Sequence, residues 1–349
     1  MTFQTFAHFS YFYQKMPHSN PTIKDIAREL KISPSTVSRA LKDHPRIGLR
    51  TREKVKELAL EWNYEPNQLA VSLQNKRTNT IGIILPELAF HFFSKILSGI
   101  EQKALKEGYN ILITQSGENF EREMEAIGIL TRAKVDGFIV SSSKETKSFA
   151  HFNNLIKKGF PVVFFDRVAE KFPFVVSNDE KGAEMLVNHF IKRGCKRIAH
   201  IAGPKNISNA RERLFGYAEA LRNNQLKVDQ NLIVYTNLDK ESNIEATATL
   251  LNLPQLPDAI FCYNDYVAYD AATYLQRKGL KIGVDILLGG FANEPVSGYM
   301  SPSLTTVEQN ALIIGEKTVE LLIKMINGES VVGVTVDTQI LVRESSGTL

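Results

Sequence analysis

A short polar segment near the amino terminus carries side chains that could bind a polyanion. The segment Ser33-Pro-Ser-Thr-Val-Ser-Arg39 combines hydroxyl groups with one guanidinium. Hydroxyls bind phosphate oxygens, and an arginine can hold O6 and N7 of guanine with two hydrogen bonds. Because Pro34 offers no such group, we expect this segment to contact fewer bases than one with two polar residues at its start.

A second set of polar and aromatic side chains follows predicted strands in the rest of the chain. Ligands bind beyond the carboxyl ends of parallel strands, so we expect these side chains to converge on one face. Aromatic rings, a forked guanidinium and short carboxylate or amide groups together suit a polyol or sugar. The members of this set are Phe92, Phe93, Asp166, Arg213 and Asn264.

Each of these positions also has a purely structural interpretation. Phe92 and Phe93 could belong to a hydrophobic core, and Arg213 could form a structural ion pair. Asp265, next to Asn264, could only cap a helix. The convergence of the set at strand ends favours ligand binding over these alternatives.

The basic segment lies within a predicted unit of three short helices. Thr22 can cap the first helix, with Asp25 as its partner in a capping box. Ser33 can cap the second helix, which begins at Pro34 and ends near Leu41. The open face of this second helix is polar and basic.

A third helix is predicted from about Leu49 to Trp62, with an apolar stripe along one side. Gly48 stands where a capping side chain is preferred, so we expect the first turn of this helix to fray slightly. Two short helices joined by a tight turn, the second with a basic open face, indicate a helix-turn-helix. A plain three-helix bundle is the alternative.

From residue 80 onward, eight short strand-like runs alternate with amphipathic helical stretches. Near-continuous apolar runs of this kind predict buried parallel sheets. Eight such units could form one TIM barrel, or two sheets of four strands that divide near Val176. The runs cover residues 81–85, 111–114, 137–140, 162–165, 198–202, 232–235, 259–262 and 286–289.

The positive charge of the chain is concentrated at its amino-terminal end. Residues 1–79 hold 13 lysines and arginines against 7 aspartates and glutamates, a net charge of +6. Residues 80–349 hold 29 against 31, a net charge of −2. A small basic unit on a nearly neutral body predicts that the unit binds a polyanion.

Several protein classes are excluded by composition and motifs. No apolar run is long enough for a transmembrane helix, and the two cysteines lack a metal-ligand spacing. No catalytic motif such as G-x-S-x-G, H-E-x-x-H or a phosphate loop occurs. We therefore expect no enzymatic activity, no metal and no cofactor, in a reducing cytoplasmic compartment. Residues 1–20 have no secretory signal pattern and are expected to form a disordered extension.

Four segments of the amino-terminal unit resemble the DNA-binding head of the LacI/GalR family of bacterial repressors. They are Thr22-Ile-Lys-Asp-Ile-Ala, Ser33-Pro-Ser-Thr-Val-Ser-Arg-Ala-Leu, Thr51-Arg-Glu-Lys-Val and Asn63-Tyr-Glu-Pro-Asn. The resemblance extends from Pro21 to Ser346. It implies an α/β protein with an amino-terminal helix-turn-helix domain, similar to that of lambda repressor. Two Rossmann-like lobes of the type I periplasmic binding proteins would follow, which disfavours the TIM barrel.

The resemblance also implies roles for individual residues of the head. Pro34, Ser35 and Arg39 would face base edges in the major groove, and Thr36 and Ser38 would contact phosphate. The segment after Pro66 would be a hinge helix that wedges Leu73 into the minor groove; a simple linker is the alternative. The complete predicted DNA-binding set is Thr22, Ser33, Pro34, Ser35, Thr36, Ser38, Arg39, Asn67, Ala70 and Leu73.

Five parts of the chain are distinguished by the same resemblance. Residues 1–20 are the extension, 21–65 the helix-turn-helix domain and 66–79 the hinge. The first lobe comprises residues 80–178 plus 306–335, and the second lobe comprises 179–305 plus 336–349. The last two crossings between the lobes are expected near Thr305 and Thr335.

In the family, an effector binds between the lobes. The matching positions here are Phe92, Phe93, Ser141, Asp166, Asn209, Arg213 and Asn264. The chain departs from the family after the eighth strand, where Gly290-Phe-Ala-Asn-Glu294 replaces the frequent Gly-Tyr-Asp-Asp. Ala292 thus stands where the family has a carboxylate that contacts the effector, so the effector's identity does not carry over.

These observations together predict a DNA-binding transcriptional repressor that is controlled by a small molecule. A sugar or sugar acid is the first choice for the effector, a phosphosugar the second and a nucleobase the third. The last predicted strand is not followed by a heptad tail, so we expect a C2 dimer and not a tetramer. A solute-binding protein of a transport system is the alternative, because it would share the two lobes.

Overall fold

Two units make up the structure, a computed structural model that describes residues 21–65, 77–168 and 171–347. Contacts within the chain separate Met1–Thr78 from Asn79–Leu349. The predicted extension, residues 1–20, lies outside the described residues. So do Asn67, Ala70 and Leu73 of the predicted hinge. No helix within the described ranges is long and apolar enough to cross a membrane.

Three helices form the described part of the first unit: α1 (Ile23–Glu29), α2 (Pro34–Leu41) and α3 (Leu49–Glu61). The backbone N–H of Thr22 donates to Asp25 Oδ2 at 3.0 Å, as the predicted cap requires. Gly48 gives α3 no side-chain cap. Small and β-branched side chains from all three helices close a common core, namely Ile26, Ala27, Val37, Ala40, Val55 and Ala59.

The second unit contains two separate parallel sheets, which excludes a TIM barrel. The first sheet has six strands in the order β11-β5-β4-β3-β1-β2. All of its neighbouring strands are parallel. Its strands are β1 (Thr80–Leu85), β2 (Asn110–Gln115), β3 (Gly137–Val140), β4 (Val162–Phe165), β5 (Phe174–Ser177) and β11 (Val334–Val336). We call this sheet with its helices the first lobe.

Strands β5 and β11 are not predicted by the apolar pattern of the sequence. Strand β5 has four residues, and β11 has only three, of which Val336 alone is buried. Short, partly exposed runs give a weak periodic signal. Their pairing instead depends on a partner far along the chain, since Thr335 lies opposite Val176.

Four helices pack on the first sheet: α4 (His91–Lys106), α5 (Phe120–Arg132), α6 (Ala150–Lys157) and α11 (Ala311–Ile326). Helix α11 comes from the far end of the chain and lies directly against α4. A Cβ added to Gly99 would stand 2.2 Å from the carbonyl oxygen of Leu312, so only glycine allows this approach. The contact fastens the late helix to the first lobe.

The second sheet has four parallel strands in the order β7-β6-β8-β9. The strands are β6 (Ile198–Ala202), β7 (Ile233–Tyr235), β8 (Ala259–Cys262) and β9 (Leu287–Gly289). Its helices are α7 (Asp179–Lys192), α8 (Ser208–Asn223), α9 (Lys240–Leu251) and α10 (Asp265–Arg277). Two predicted runs start one residue early, because Leu232 ends a 3-10 turn and Ile286 forms only an isolated bridge. We call this sheet with its helices the second lobe.

Two further short strands join the lobes. Strands β10 (Thr306–Glu308) and β12 (Gln339–Leu341) pair antiparallel with each other. Thr335, near which a crossing was predicted, lies within β11 of the first sheet. The chain therefore leaves the first sheet after Val336. This arrangement places the carboxyl ends of β1 to β4 opposite those of β6 to β9.

Candidate functional site

The polar face of α2 is built by local hydrogen bonds. The Ser33 hydroxyl accepts from the backbone N–H of Thr36 at 3.1 Å and so caps the helix. The hydroxyls of Ser35 and Thr36 each lie 2.8 Å from Ser33 Oγ. Three hydroxyl groups thus cluster at the start of α2, whereas Val37 of the same helix is buried.

Arg39 extends this polar face. It is exposed, and its guanidinium has no hydrogen bond or ion pair with any described residue. Some basic residues of the head are paired: Arg28 lies 3.2 Å from Asp25, and Lys56 lies 2.7 Å from Asp43. That hydrogen bond lowers the pKa of the Asp43 carboxyl. Arg39 is therefore a guanidinium available for an external partner.

The second unit contains a cavity of about 180 Å³ between its two lobes. We call it the ligand cavity. Six of the seven side chains predicted to bind an effector line it: Phe92, Phe93, Asp166, Asn209, Arg213 and Asn264. Ser141 does not. It is fully buried, and its hydroxyl has no hydrogen-bond partner in the described part of the chain.

Asp166 lies at the centre of the polar wall of this cavity. It follows β4 with φ 58°, a left-handed conformation that is unusual for a residue other than glycine and is often found at functional sites. Its Oδ1 accepts from Asn209 Nδ2 of the second lobe at 2.9 Å, and Asn209 Oδ1 accepts from the Tyr263 hydroxyl at 2.8 Å. Burial raises the pKa of Asp166 to about 6. Its Oδ2 lies 3.8 Å from Arg167 Nε but accepts no hydrogen bond from a described residue, so it can accept one from a ligand hydroxyl.

Arg213 forms a structural ion pair and also lines the ligand cavity, so both interpretations of this residue apply. Its Nε and Nη2 donate to Asp179 Oδ2 at 3.2 and 3.0 Å, which is a buried ion pair. Its Nη1 donates to the carbonyl oxygen of Tyr263 at 2.7 Å, and its Cζ lies 3.9 Å from the centre of the Phe291 ring. Since a guanidinium has five N–H donors, two remain for a ligand.

Asn264 and Asp265 have different tasks at the start of α10. Asn264 Oδ1 accepts from Val267 N at 2.9 Å and caps the helix, which leaves the amide nitrogen facing the cavity. Asp265 is buried behind it and accepts from the hydroxyls of Ser297 and Thr306, both at 2.6 Å. Burial raises the pKa of Asp265 to about 7. Asp265 therefore does more than cap a helix, because it holds the loop after β9 in place.

Glu294 is a cavity residue that the sequence analysis missed. Its carboxylate accepts from the backbone N–H groups of His91 and Phe92 at 3.2 and 3.1 Å, and from the Tyr266 hydroxyl at 3.1 Å. Phe90, which precedes α4, provides no side-chain cap. A carboxylate of the second lobe thus caps a helix of the first lobe, where the helix dipole favours it.

Other lining residues were also not predicted. Glu118 accepts from Arg167 Nη1 at 2.7 Å, and together they form a second ion pair at the cavity wall. The remaining lining residues are Glu87, Phe90, Lys144, Leu238, Tyr263, Tyr266, Val267, Ala292 and Gln309. No sequence spacing joins these positions, since they are scattered over several loops and the start of α10. Within the described ranges, no cluster of histidine, cysteine, aspartate and glutamate could hold a metal ion.

Two family descriptions match the chain. Residues 22–67 match "Bacterial regulatory proteins, lacI family", and residues 78–343 match "Periplasmic binding proteins and sugar binding domain of LacI family". The chain belongs to the LacI family. It is a DNA-binding transcriptional regulator with a ligand-binding body. The alternative of a transport protein is not favoured, because a helix-turn-helix precedes the lobes.

Curated relatives include two repressors. The chain is 31% identical over 307 residues to the HTH-type transcriptional repressor PurR of Vibrio atlanticus, covering 87% of this chain and 92% of that protein. It is 31% identical over 341 residues to the HTH-type transcriptional repressor CytR of Escherichia coli K12, covering 96% and 99%. These relatives are repressors and not enzymes.

Solved structures of the same architecture include the lac repressor dimer bound to operator and the anti-inducer ONPF. It is similar with a TM-score of 0.82 and 26% identity, covering 95% of this chain and all of that chain. The complex of the transcriptional regulator CelR with cellobiose has a TM-score of 0.71 and 27% identity, covering 93% and 100%. The predicted fold class, a helix-turn-helix with parallel-sheet α/β lobes, is confirmed.

Proposed function

We propose that this protein represses transcription by binding a pseudo-palindromic operator as a C2 dimer. The observation that carries the proposal is the free guanidinium of Arg39 beside the hydroxyl cluster on the exposed face of α2. In this arrangement Pro34, Ser35 and Arg39 face base edges, and Thr22, Thr36 and Ser38 face phosphates. Two such heads meet two half-sites related by the symmetry of the dimer.

A binding assay with genomic fragments tests this proposal. Electrophoretic mobility shift should select a fragment with an inverted repeat. If roughly six to ten phosphates are contacted, affinity should fall about a thousandfold or more between 50 and 200 mM salt. Sedimentation should give a dimer. A stable tetramer, or binding without any sequence preference, would contradict it.

The ligand cavity is the proposed effector site. Its volume is below the roughly 300–1,000 Å³ of sites for drug-sized ligands, which favours a small molecule. Phe92 and Phe93 supply an apolar wall, while Asp166 Oδ2 and Asn264 Nδ2 offer one acceptor and one donor. An acceptor and a donor beside an aromatic wall suit a sugar, because the wall packs against the ring and the polar groups bind its hydroxyls.

The charge of the lining favours a neutral sugar over a sugar acid. Four carboxylates line the cavity, but only three cations do, and Arg213 is already paired with Asp179. The carboxylates belong to Glu87, Glu118, Asp166 and Glu294, and the cations to Lys144, Arg167 and Arg213. An added anion would therefore enter a site without surplus positive charge.

Thermal-shift screening with sugars, sugar acids and nucleobases tests the effector class. A neutral sugar should stabilise the protein and alter operator binding in the mobility-shift assay. Asn264→Ala should weaken that ligand while operator binding without ligand stays unchanged. Stabilisation by nucleobases alone would overturn the assignment of a sugar.

A further inference from the structure

A second cavity lies between the lobes, and Arg167 lines both it and the ligand cavity. Its volume is about 480 Å³. The first lobe contributes the loops after β3 and β4 and part of α6, and the second lobe contributes the start of α8. We call it the basic cavity, after the four cations among its lining residues: Lys147, Arg167, Lys171 and Arg211.

The two cavities differ in charge. No carboxylate is among the described residues that line the basic cavity, whereas four line the ligand cavity. Lys147, Lys171 and Arg211 are exposed and form no ion pair with a described residue. The first two belong to the first lobe and Arg211 to the second. Like charges from both lobes thus face one space, which is unfavourable unless an anion lies between them.

Arg167 supplies an observation independent of these surface cations. Its side chain is only 9% exposed, and its Nη1 donates to Glu118 and to the carbonyl oxygen of Ser142. Its Nε is buried without a hydrogen-bond partner in the described part of the chain, since Asp166 Oδ2 lies 3.8 Å away, beyond hydrogen-bond distance. In Arg213, the corresponding edge of the guanidinium holds Asp179. Arg167 therefore has a buried N–H that no hydrogen bond satisfies, which is uncommon because buried donors are nearly always paired.

The start of α8 adds positive potential from the second lobe. This helix has 16 residues, and Ile207 before it provides no side-chain cap. The Ser208 hydroxyl accepts from the backbone N–H of Val168 across the lobes at 3.0 Å. Both Ile207 and Ser208 line the basic cavity. The amino end of a long helix favours an anion, so it reinforces the four cations.

We propose that the basic cavity binds a small molecule through a phosphate group. A phosphate monoester carries about −1.5 to −2 charges at neutral pH and three acceptor oxygens, which matches cations that converge from several directions. A single carboxylate would leave more of this positive charge uncompensated. Since cations of both lobes meet the same anion, the bound phosphate holds the lobes together. This site is separate from the proposed effector site and goes beyond the proposed function.

Isothermal titration calorimetry on the full chain, with inorganic phosphate at constant ionic strength, tests the proposal. The test variant is the double substitution Lys147→Ala and Arg211→Ala. The matched control is Lys157→Ala and Lys205→Ala, which removes two exposed charges from the neighbouring α6 and from the loop before α8 but leaves the cavity lining intact. Wild type and control should bind phosphate equally, and the test variant should bind about tenfold or more weakly. Glycerol 3-phosphate should bind at the same site and glycerol should not.

Three results would overturn the proposal. Wild type without saturable phosphate binding is the first, and equal weakening in the test and control variants, which would indicate only diffuse attraction, is the second. The third concerns the ligand cavity, which Asn264 lines and the basic cavity does not include. If Asn264→Ala loses phosphate while the test variant keeps it, the anion binds in the ligand cavity. An unchanged Asn264→Ala protein supports the basic cavity, whatever becomes of the sugar assignment.

Discussion

The head, residues 21–65, and the two-lobed body differ in how far along the chain their functional contacts reach. In the head, Thr22 bonds to Asp25 and Ser33 to Thr36, each three residues away. In the body, Asp166 bonds to Asn209 over 43 residues, and Glu294 bonds to Phe92 over 202. The recognition helix therefore carries its polar face by itself, whereas the ligand cavity exists only once both lobes have folded and met.

This difference has consequences for mutation. An exposed side chain on α2 can be changed without disturbing a core, so its loss should affect only what it binds. A cavity side chain such as Arg213 also holds the lobes' buried charges, so its loss should affect stability as well as ligand binding. The single tryptophan, Trp62, lies in the head, so its fluorescence reports on the head while circular dichroism reports mainly on the larger body.

The largest expected effect is that of Arg213→Ala on the body. The substitution leaves the buried Asp179 without its cation, which typically costs about 3–5 kcal/mol of unfolding free energy. Urea unfolding followed by circular dichroism should shift to lower urea, while the Trp62 fluorescence transition should stay in place. Arg222→Ala, at an exposed site on the same helix, should change the unfolding free energy by at most about 1 kcal/mol. A joint shift of both signals in Arg213→Ala would contradict the separation of head and body.

Leu73→Ala distinguishes a hinge from a linker. If Leu73 is buried between base pairs, its truncation should weaken operator binding by roughly 1.5–3 kcal/mol, the value of a buried leucine side chain. A circular-permutation gel should show less bending of the DNA, while the affinity for effector stays nearly unchanged. Unaltered bending would exclude the hinge role.

Arg39→Ala examines base readout by the head. We expect a loss of about 1–3 kcal/mol in operator affinity and a relaxed preference at one base pair of each half-site. Arg39→Lys keeps the charge but loses the bidentate fork, so it should relax the preference while retaining most of the nonspecific affinity. Competition binding with operator variants measures both effects. Equal weakening on every sequence would make Arg39 a phosphate contact.

The smallest of the expected effects is that of Asp166→Asn on how the stability of the body depends on pH. Burial raises the pKa of Asp166 from 3.8 to about 6, so the protonated form is favoured in the folded state. The stability it contributes is present below the unfolded pKa and is lost as pH rises through about 6. Between pH 4 and 6.5, the wild type should therefore lose roughly 1–2 kcal/mol relative to Asp166→Asn. Urea titrations at several pH values measure this difference. If the free energies of unfolding of wild type and Asp166→Asn changed equally with pH, the contribution of Asp166 would be refuted.

The head was also easier to predict from the sequence than the body. The three helices of the head were predicted to within one residue at α2 and α3, because capping residues and apolar spacing are local signals. In the body, the five side chains expected to converge from the strand ends line one cavity, since parallel strands bring their carboxyl ends together, and Asn209, which only the resemblance named, lines it too. Ser141, which the resemblance also named, is fully buried and does not line that cavity.

The sequence by itself determined the helix-turn-helix, the alternation of strands and helices, and the edge at which ligand-binding groups gather. Only the tertiary structure decided which of those groups form buried structural contacts and which remain available to a ligand. Arg213 turned towards Asp179, and Glu294 reached the amino end of α4 in the other lobe. It also decided that Arg167 Nε is buried with no hydrogen-bond acceptor among the described residues. Burial makes each of these choices consequential, because a charge removed from water requires a partner, and that partner can come from any part of the folded chain.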